Sequence, residues 1–385
     1  MGESNFRRVI GLIASSVSHF VTAVIVASLA LAIAGCSAPL PSTELPPARF
    51  LAPVPEFPGV RDYRGIFNFK MKPTGFDQPG IADLAKAAQI DFIILGDRVK
   101  AGEADYGIPG FTSEILFISG GAFESGGGEI VGVNLREPIR PELGTADLIS
   151  AIHDQGGLAI AAQPTKFANP ADFALADAIE VYNQRDTWRA QSAASLYLRA
   201  IFSGTDRFLA SLDLRPDANL ALYDKMAAGA RVTMLAGLGA PDDMTVLGSK
   251  VGTTPQLMLF YTTHLLARER SQDPLLEAIK LGHSYVSFDF LGYVGQFVFF
   301  AQVGDANNGT KTLMGDEVRM APGLVLKAEL PDAADRIVLY RSGVEIKAVE
   351  NARTLDFAPT SAGAYRIEAY RGGHLWILSN PVYVR

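Results

Sequence analysis

Few side chains in this sequence are both chemically versatile and suggestively spaced. Among 385 residues there are one cysteine and five histidines. Four of the histidines, His153, His264, His283 and His374, follow residue 36, and none forms a His-x-His, His-Pro or Asp-x-His pair. Such pairs bring imidazole nitrogen and carboxylate oxygen together on Zn, Mn or Fe. Without them, each of these histidines is expected to serve at the surface or as a cap. One cysteine excludes an internal disulfide framework and any thiolate metal cluster. No nucleophile motif supports Ser-His-Asp or Cys-His catalysis. The glycine-rich run Ser125–Gly128 has neither a helix start nor a lysine after it, so it reads as a turn rather than a phosphate cradle. Asp242-Asp243 reads as an exposed acidic loop. A net charge of −7, from 34 basic and 41 acidic residues, argues against nucleic acid as the main partner, because phosphate backbones call for clustered Lys and Arg.

The cysteine is informative through its position. Arg7 and Arg8 form a basic head, Phe20 to Ala34 is almost wholly apolar or small, and the run closes on Ile33-Ala34-Gly35-Cys36. A basic head, a short apolar core and small residues at the cut describe a secretory signal. Ser15, Ser16, Ser18 and His19 shorten the core below the length of a membrane-spanning helix. The closing tetrapeptide resembles the lipobox of bacterial lipoproteins. That resemblance implies cleavage before Cys36, diacylglycerol on its sulfur and palmitate or a similar acyl chain on the new amino terminus. Several acyl chains exceed what stable anchoring needs. The expected location is the cell envelope, facing the periplasm or exterior, and Ser37 favours the outer membrane in a Gram-negative host. From 36 to 60 prolines recur, and such a stretch is expected to be a semi-rigid tether.

The elements that would position any site come next. Gly65–Phe69, Asp91–Leu95, Glu114–Ile118, Glu129–Val133, Leu158–Ala162, Ala178–Tyr182 and Val232–Gly237 read as strands. Ile81–Ala88, Thr145–Gln155, Trp188–Phe202, Ala218–Ala228 and Asp273–Leu281 read as helices. Gly120–Gly128 reads as a turn region. This alternation argues for a parallel α/β domain, and the lack of a Gly-x-Gly-x-x-Gly turn favours a barrel over an open dinucleotide-binding sheet. Beyond residue 290, Phe297–Ala301, Leu324–Ala328, Arg336–Tyr340, Ala364–Tyr370 and Pro381–Val384 are strand-like without helices. They suggest a small antiparallel β-sandwich, with Tyr370, Trp376 and Tyr383 packing it. The expected division is therefore a signal at 1–35, a tether at 36–60, a barrel at 61–290 and a sandwich at 291–385.

Several segments together carry a wider likeness. Tyr63-Arg64-Gly65-Ile66-Phe67, the run from Ala87 to Asp97, Glu129–Asn134, Asp154–Pro164, Ile179-Glu180-Val181-Tyr182-Asn183 and Trp376–Tyr383 resemble, in order, the PHP (polymerase and histidinol phosphatase) superfamily. The resemblance implies a distorted (β/α)7 barrel with its site at the carboxyl ends of the strands. It also implies two or three divalent metals that activate water against a phosphate ester. At the positions matching the family's ligands this chain departs almost throughout. The His-x-His of the first strand reads Asn68-Phe69-Lys70, and the following Ser-Asp-Gly region reads Thr74-Gly75-Phe76. Asp-His reads Asp97-Arg98, the bridging Glu falls at Ala122, the next histidine falls at Glu129, and His-Pro reads Gln163-Pro164. The last Asp-x-His falls near Gly239-Ala240-Pro241.

A protonated lysine has no lone pair to ligate with, and arginine stays charged. Lys70 and Arg98 are thus expected to stand in for metal charge and to pair with Asp97 and Glu129. The pocket Asn68, Lys70, Asp97, Arg98, Glu129 and Gln163 either seals the barrel mouth or, left open, binds a small anionic ligand. The leading reading is a lipid-anchored protein with a degenerate, cofactor-free PHP-like domain, which binds a ligand or scaffolds an envelope protein. One alternative is a phosphoesterase with relocated ligands drawn from Asp77, Asp97, Glu124, Glu129, Asp242 and Asp243. Another is partner docking through the C-terminal β-sandwich.

Overall fold

Several strands, such as Phe92–Leu95, Ile115–Ile118 and Leu158–Ala162, are continuous buried apolar runs, and such runs are stable only where both faces are covered. In chain order the inner strands are β1 (Phe57–Phe69), β2 (Phe92–Leu95), β3 (Ile115–Ile118), β4 (Gly120–Ser125), β5 (Gly128–Val133), β6 (Leu158–Ala162), β7 (Ala178–Asn183) and β8 (Thr233–Gly239). The computed structural model describes residues 53–100, 102–140, 142–184, 187, 215–239, 244–246, 249–251, 253–305 and 309–385. The signal-like segment, Cys36, the helix expected over Trp188–Phe202 and the Asp242-Asp243 pair lie outside these residues. Among the described residues no helix is long and apolar enough to cross a membrane.

The inner strands pair in a circuit that returns to its start. β1 lies parallel to β2, and β2 to β3. Asp97–Arg98 continues β2 and lies parallel to β4. β4, β5 and β6 follow with antiparallel pairings. β7 and β8 run parallel to their neighbours, and Gly237 and Gly239 of β8 face Phe67 and Phe69 of β1. Residues 62–69 of β1 are all buried, as a strand flanked on both sides must be.

Among the described residues, the helices α1 (Gln78–Ala87), α2 (Thr145–Asp154) and α3 (Asp217–Gly229) support this circuit, and the expected helix over Asp273–Leu281 forms as Gln272–Leu281. The Asp77 carboxylate caps α1 by accepting from the Gly80 amide at 2.9 Å, as an N-cap residue should. Along α2, Leu148, Ile149 and Ile152 are buried, the i, i+4 stripe of a one-sided helix.

The outer strands are β9 (Thr262–Ala267), β10 (Ser284–Ser287), β11 (Val298–Val303), β12 (Leu324–Arg341), β13 (Val344–Phe357), β14 (Gly363–Arg371), β15 (His374–Ser379) and β16 (Val382–Val384). β9 pairs with the first half of β1, β10 with β9, and β15 with β10. From β15 the pairing passes to β14 and then to β12, which holds β11 and β13. Among the described residues the result is a mixed α/β fold with one large 21-stranded sheet and few helices.

Four expectations need correction. The segment Gly120–Gly128 is not one long turn: β4 and β5 form a hairpin whose register runs to Ser125 opposite Gly128. Only Gly126 and Gly127, at φ 61° and 88°, make the turn, a backbone that glycine adopts without strain. The same hairpin makes part of the sheet antiparallel, because two residues cannot supply a parallel crossover. The folded body also starts earlier than the expected tether end. Pro53 pairs with Arg61, Val54 pairs with Phe57 and is 2% exposed, so apolar burial outweighs the local proline content.

The fourth correction concerns His264, which is fully buried rather than superficial. Its Nδ1 lies 2.7 Å from Asp62 Oδ1, its Nε2 2.8 Å from Ser287 Oγ, and its ring stacks on Tyr285 at 4.1 Å. This constellation has triad-like connectivity. Yet Ser287 is itself fully buried and its hydroxyl donates to Asp289 at 2.7 Å, so no substrate reaches it. It is a satisfied polar network between β1, β9 and β10.

Candidate functional site

Where β1 ends, the ladder with β2 slips: Ile66 faces Ile93, but Phe69, three residues on, faces Leu95 only two residues on. Such a bulge re-aims the side chains next to it. Asn68 sits at this slip with φ 56°, a left-handed backbone that asparagine tolerates better than most residues. A second bulge lies in β7, where Glu180 faces Leu235 and Tyr182 faces the next residue, Ala236. Together the two irregularities bring Asn68 and Glu180 into contact.

Glu180 is fully buried. Asn68 Nδ2 donates to its Oε1 at 2.9 Å, and Asn183 Nδ2 donates to its Oε2 at 3.0 Å. The space for this carboxylate exists because residue 237 is glycine. A Cβ there would stand 1.5 Å from Glu180 Oε1. Burial raises the Glu180 pKa from 4.5 to about 7, with Glu129 adding to the rise while the two amides and Lys70 oppose it. Tyr261 is also deeply buried, and its pKa is raised well above the ordinary value by burial first and by the charge of Glu180 second.

Above Glu180 opens a cleft of about 1150 Å³. All six residues of the expected pocket, Asn68, Lys70, Asp97, Arg98, Glu129 and Gln163, line it. Their roles differ. The Lys70 ammonium, on a side chain 11% exposed, donates to Glu129 Oε1 at 3.0 Å and to the Gly96 carbonyl. Asp97 accepts from the Met71 and Lys72 backbone amides, both at 3.1 Å, and so pins the segment after β1. Arg98 points outward: it pairs with Glu124 at 2.8 Å, both side chains being about two-thirds exposed, and it meets neither Asp97 nor Glu129. Alternation along a strand explains this, since Asp97 faces in and the next residue must face out. Gln163 has φ 53° and accepts from Lys166 Nζ at 2.9 Å.

Asn183 in the floor and Glu180 beneath it were not among the expected site residues. The only trace they left was a charged residue inside the otherwise buried run Ala178–Asn183, which is the kind of local inconsistency that marks a site. The relocated-ligand set is dispersed. Asp77 caps a helix, Asp97 holds backbone amides, Glu124 serves Arg98 and Glu129 serves Lys70. Among the described residues no group of three or more His, Cys, Asp or Glu side chains is placed to hold a metal ion.

No protein-family model matches the chain, and no curated protein matches it. Among solved structures, one similar chain is a two-domain protein from Bacteroides vulgatus containing a predicted PHP-like metal-dependent phosphoesterase. It shares 12% identity at a TM-score of 0.41 over 88% of this chain and 100% of the other. An engineered protein shares 13% identity at a TM-score of 0.18, over 79% of this chain and 68% of that one.

Proposed function

We propose that this chain is a lipid-anchored cell-envelope protein whose PHP-like barrel, followed by a β-sandwich, has become a metal-free binding domain. The anchor is Cys36, acylated at the lipobox-like Ile33-Ala34-Gly35-Cys36, with the residues from 37 to the start of the fold as tether. The cleft is the working part, and its occupant is a small ligand or a segment of an envelope protein.

The observation that carries the reading is the place of Lys70. Its ammonium lies in the cleft, bonded to Glu129 and to the Gly96 carbonyl, at a position where the PHP resemblance puts a metal-ligating histidine. An ammonium there supplies a fixed positive charge and no lone pair. The neighbours Asn68 and Gln163 are amides, far weaker ligands than the imidazoles they replace. The residues present therefore do not fit a multinuclear metal centre.

Hydrolysis of p-nitrophenyl phosphate with Mn²⁺, Zn²⁺ or Fe²⁺ tests this. The expected rate equals that of the metal ions alone. Metal-dependent turnover that disappears in Glu129→Ala would restore the phosphoesterase reading.

A further inference from the structure

The cleft floor holds a hydrogen-bond acceptor that the described residues leave unanswered. Asn68 is 1% exposed, its Nδ2 is committed to Glu180, and its Oδ1 has no partner among the described residues. A buried acceptor without a donor carries a desolvation penalty that an incoming donor removes. Turning the amide over does not help, because Oδ1 would then face the Glu180 carboxylate. The oxygen is packed beside Gly96, where a Cβ would stand only 2.2 Å from it.

Charge around this oxygen is unbalanced in one direction. Five carboxylates and four cations line the cleft, and Glu180 beneath the floor is a further carboxyl group. Lys70, Lys72 and Arg98 are each engaged by a carboxylate of the cleft already. Asp97 and Glu180, in contrast, are held by neutral amides, which leave their negative charge uncancelled. An anion entering would find three of the four cations taken and only Lys100, exposed at the edge, still to engage, whereas a cation would find a vacant acceptor above an uncancelled carboxyl group.

Building on the metal-free reading above, we infer that the floor at Asn68, beside Glu129 and above the buried Glu180, receives the protonated amine of a small polar ligand. An ammonium has three donors and no acceptor, so it can bond Asn68 Oδ1 and still face the carboxylates. The rest of the ligand is hydrophilic. Among the described residues lining the cleft, Pro73 is the only apolar one apart from glycines, in contrast to the apolar walls of sites for drug-like molecules. A hydroxyl-rich amine, such as an amino sugar, satisfies both conditions.

Thermal unfolding of the full chain in glucosamine, glucose and inorganic phosphate, at equal concentration and pH 7.5, tests the inference. Glucosamine is expected to raise Tm by about 2 °C near saturation, and glucose and phosphate are expected to leave it in place. Glu180→Gln, which keeps the shape of the floor, and Asn68→Ala are both expected to abolish the response. A chain that ignores glucosamine, or responds equally to glucose or phosphate, overturns the inference, as does a Glu180→Gln protein that responds like the parent. The two readings fail differently: bound transition metal refutes the metal-free site, whereas a metal-free chain indifferent to glucosamine refutes only the ligand class.

Discussion

Glu180 is where this molecule works against its own stability. A carboxylate removed from water is tolerated only with partners, and neutral amides replace lost hydration incompletely. With a folded pKa near 7 against 4.5 for the free group, the folded state holds a proton that the unfolded chain releases. The associated stability is present below 4.5 and is lost as pH rises through 7, by about 3 kcal/mol in total. Glu180→Gln removes this pH dependence. Urea unfolding is expected to show the variant gaining on the parent between pH 5 and 8, with no such drift below pH 4.5. A parallel pair of pH profiles would contradict the assignment. Lys70 was legible in the sequence because an ammonium at a ligand position is chemically conspicuous. Glu180 was not, because its burial depends on Gly237, a residue of another strand.

At the level of elements, the site is made by defects in regular structure. Two bulges and the missing side chain at Gly237 let the ends of β1 and β7 converge. Gly237→Ala forces a methyl group into the Glu180 carboxyl and is expected to cost roughly 1–3 kcal/mol, typical of overpacking. Combining it with Glu180→Ala is expected to recover part of that loss, read as a coupling term in a double-mutant cycle of unfolding free energies. Additive effects would show that the two residues do not touch. Elements whose pattern reports burial directly were legible: Leu158–Ala162 forms a strand over its whole expected length, and Thr145–Asp154 a helix. β9 was not, because its polar Thr262, Thr263 and His264 gain their burial from bonds to other strands. Pairing partners and bulges depend on distant residues, which one-dimensional periodicity does not encode.

Across the whole molecule, the circuit and the C-terminal strands are joined by one sheet and locked by a buried ionic network. Arg366, 1% exposed, grips Asp224 of α3 through two 2.7 Å bonds, and Glu368 accepts from Arg215 at 2.7 and 2.9 Å. Burial pushes the Glu368 pKa up, but Arg215 and Arg366 outweigh it and the net shift is downward. Its contribution is therefore present above pH 4.5 and fades as acid protonates it. This is opposite in sign to Glu180, so acidification relieves the cleft while loosening the junction. Beyond the fold, the proposed anchor makes a separate claim: Cys36→Ser is expected to move the protein from the membrane fraction to the soluble one, and an unchanged distribution would remove Cys36 from the account. The central claim is that Lys70 has replaced metal chemistry at the cleft. It is tested most directly by metal stoichiometry, measured by inductively coupled plasma mass spectrometry after equilibration with Zn²⁺, Mn²⁺ and Fe²⁺ and desalting. The account requires far less than one transition metal per chain, unchanged in Glu129→Gln. More than one per chain, lost in Glu129→Gln, would contradict it.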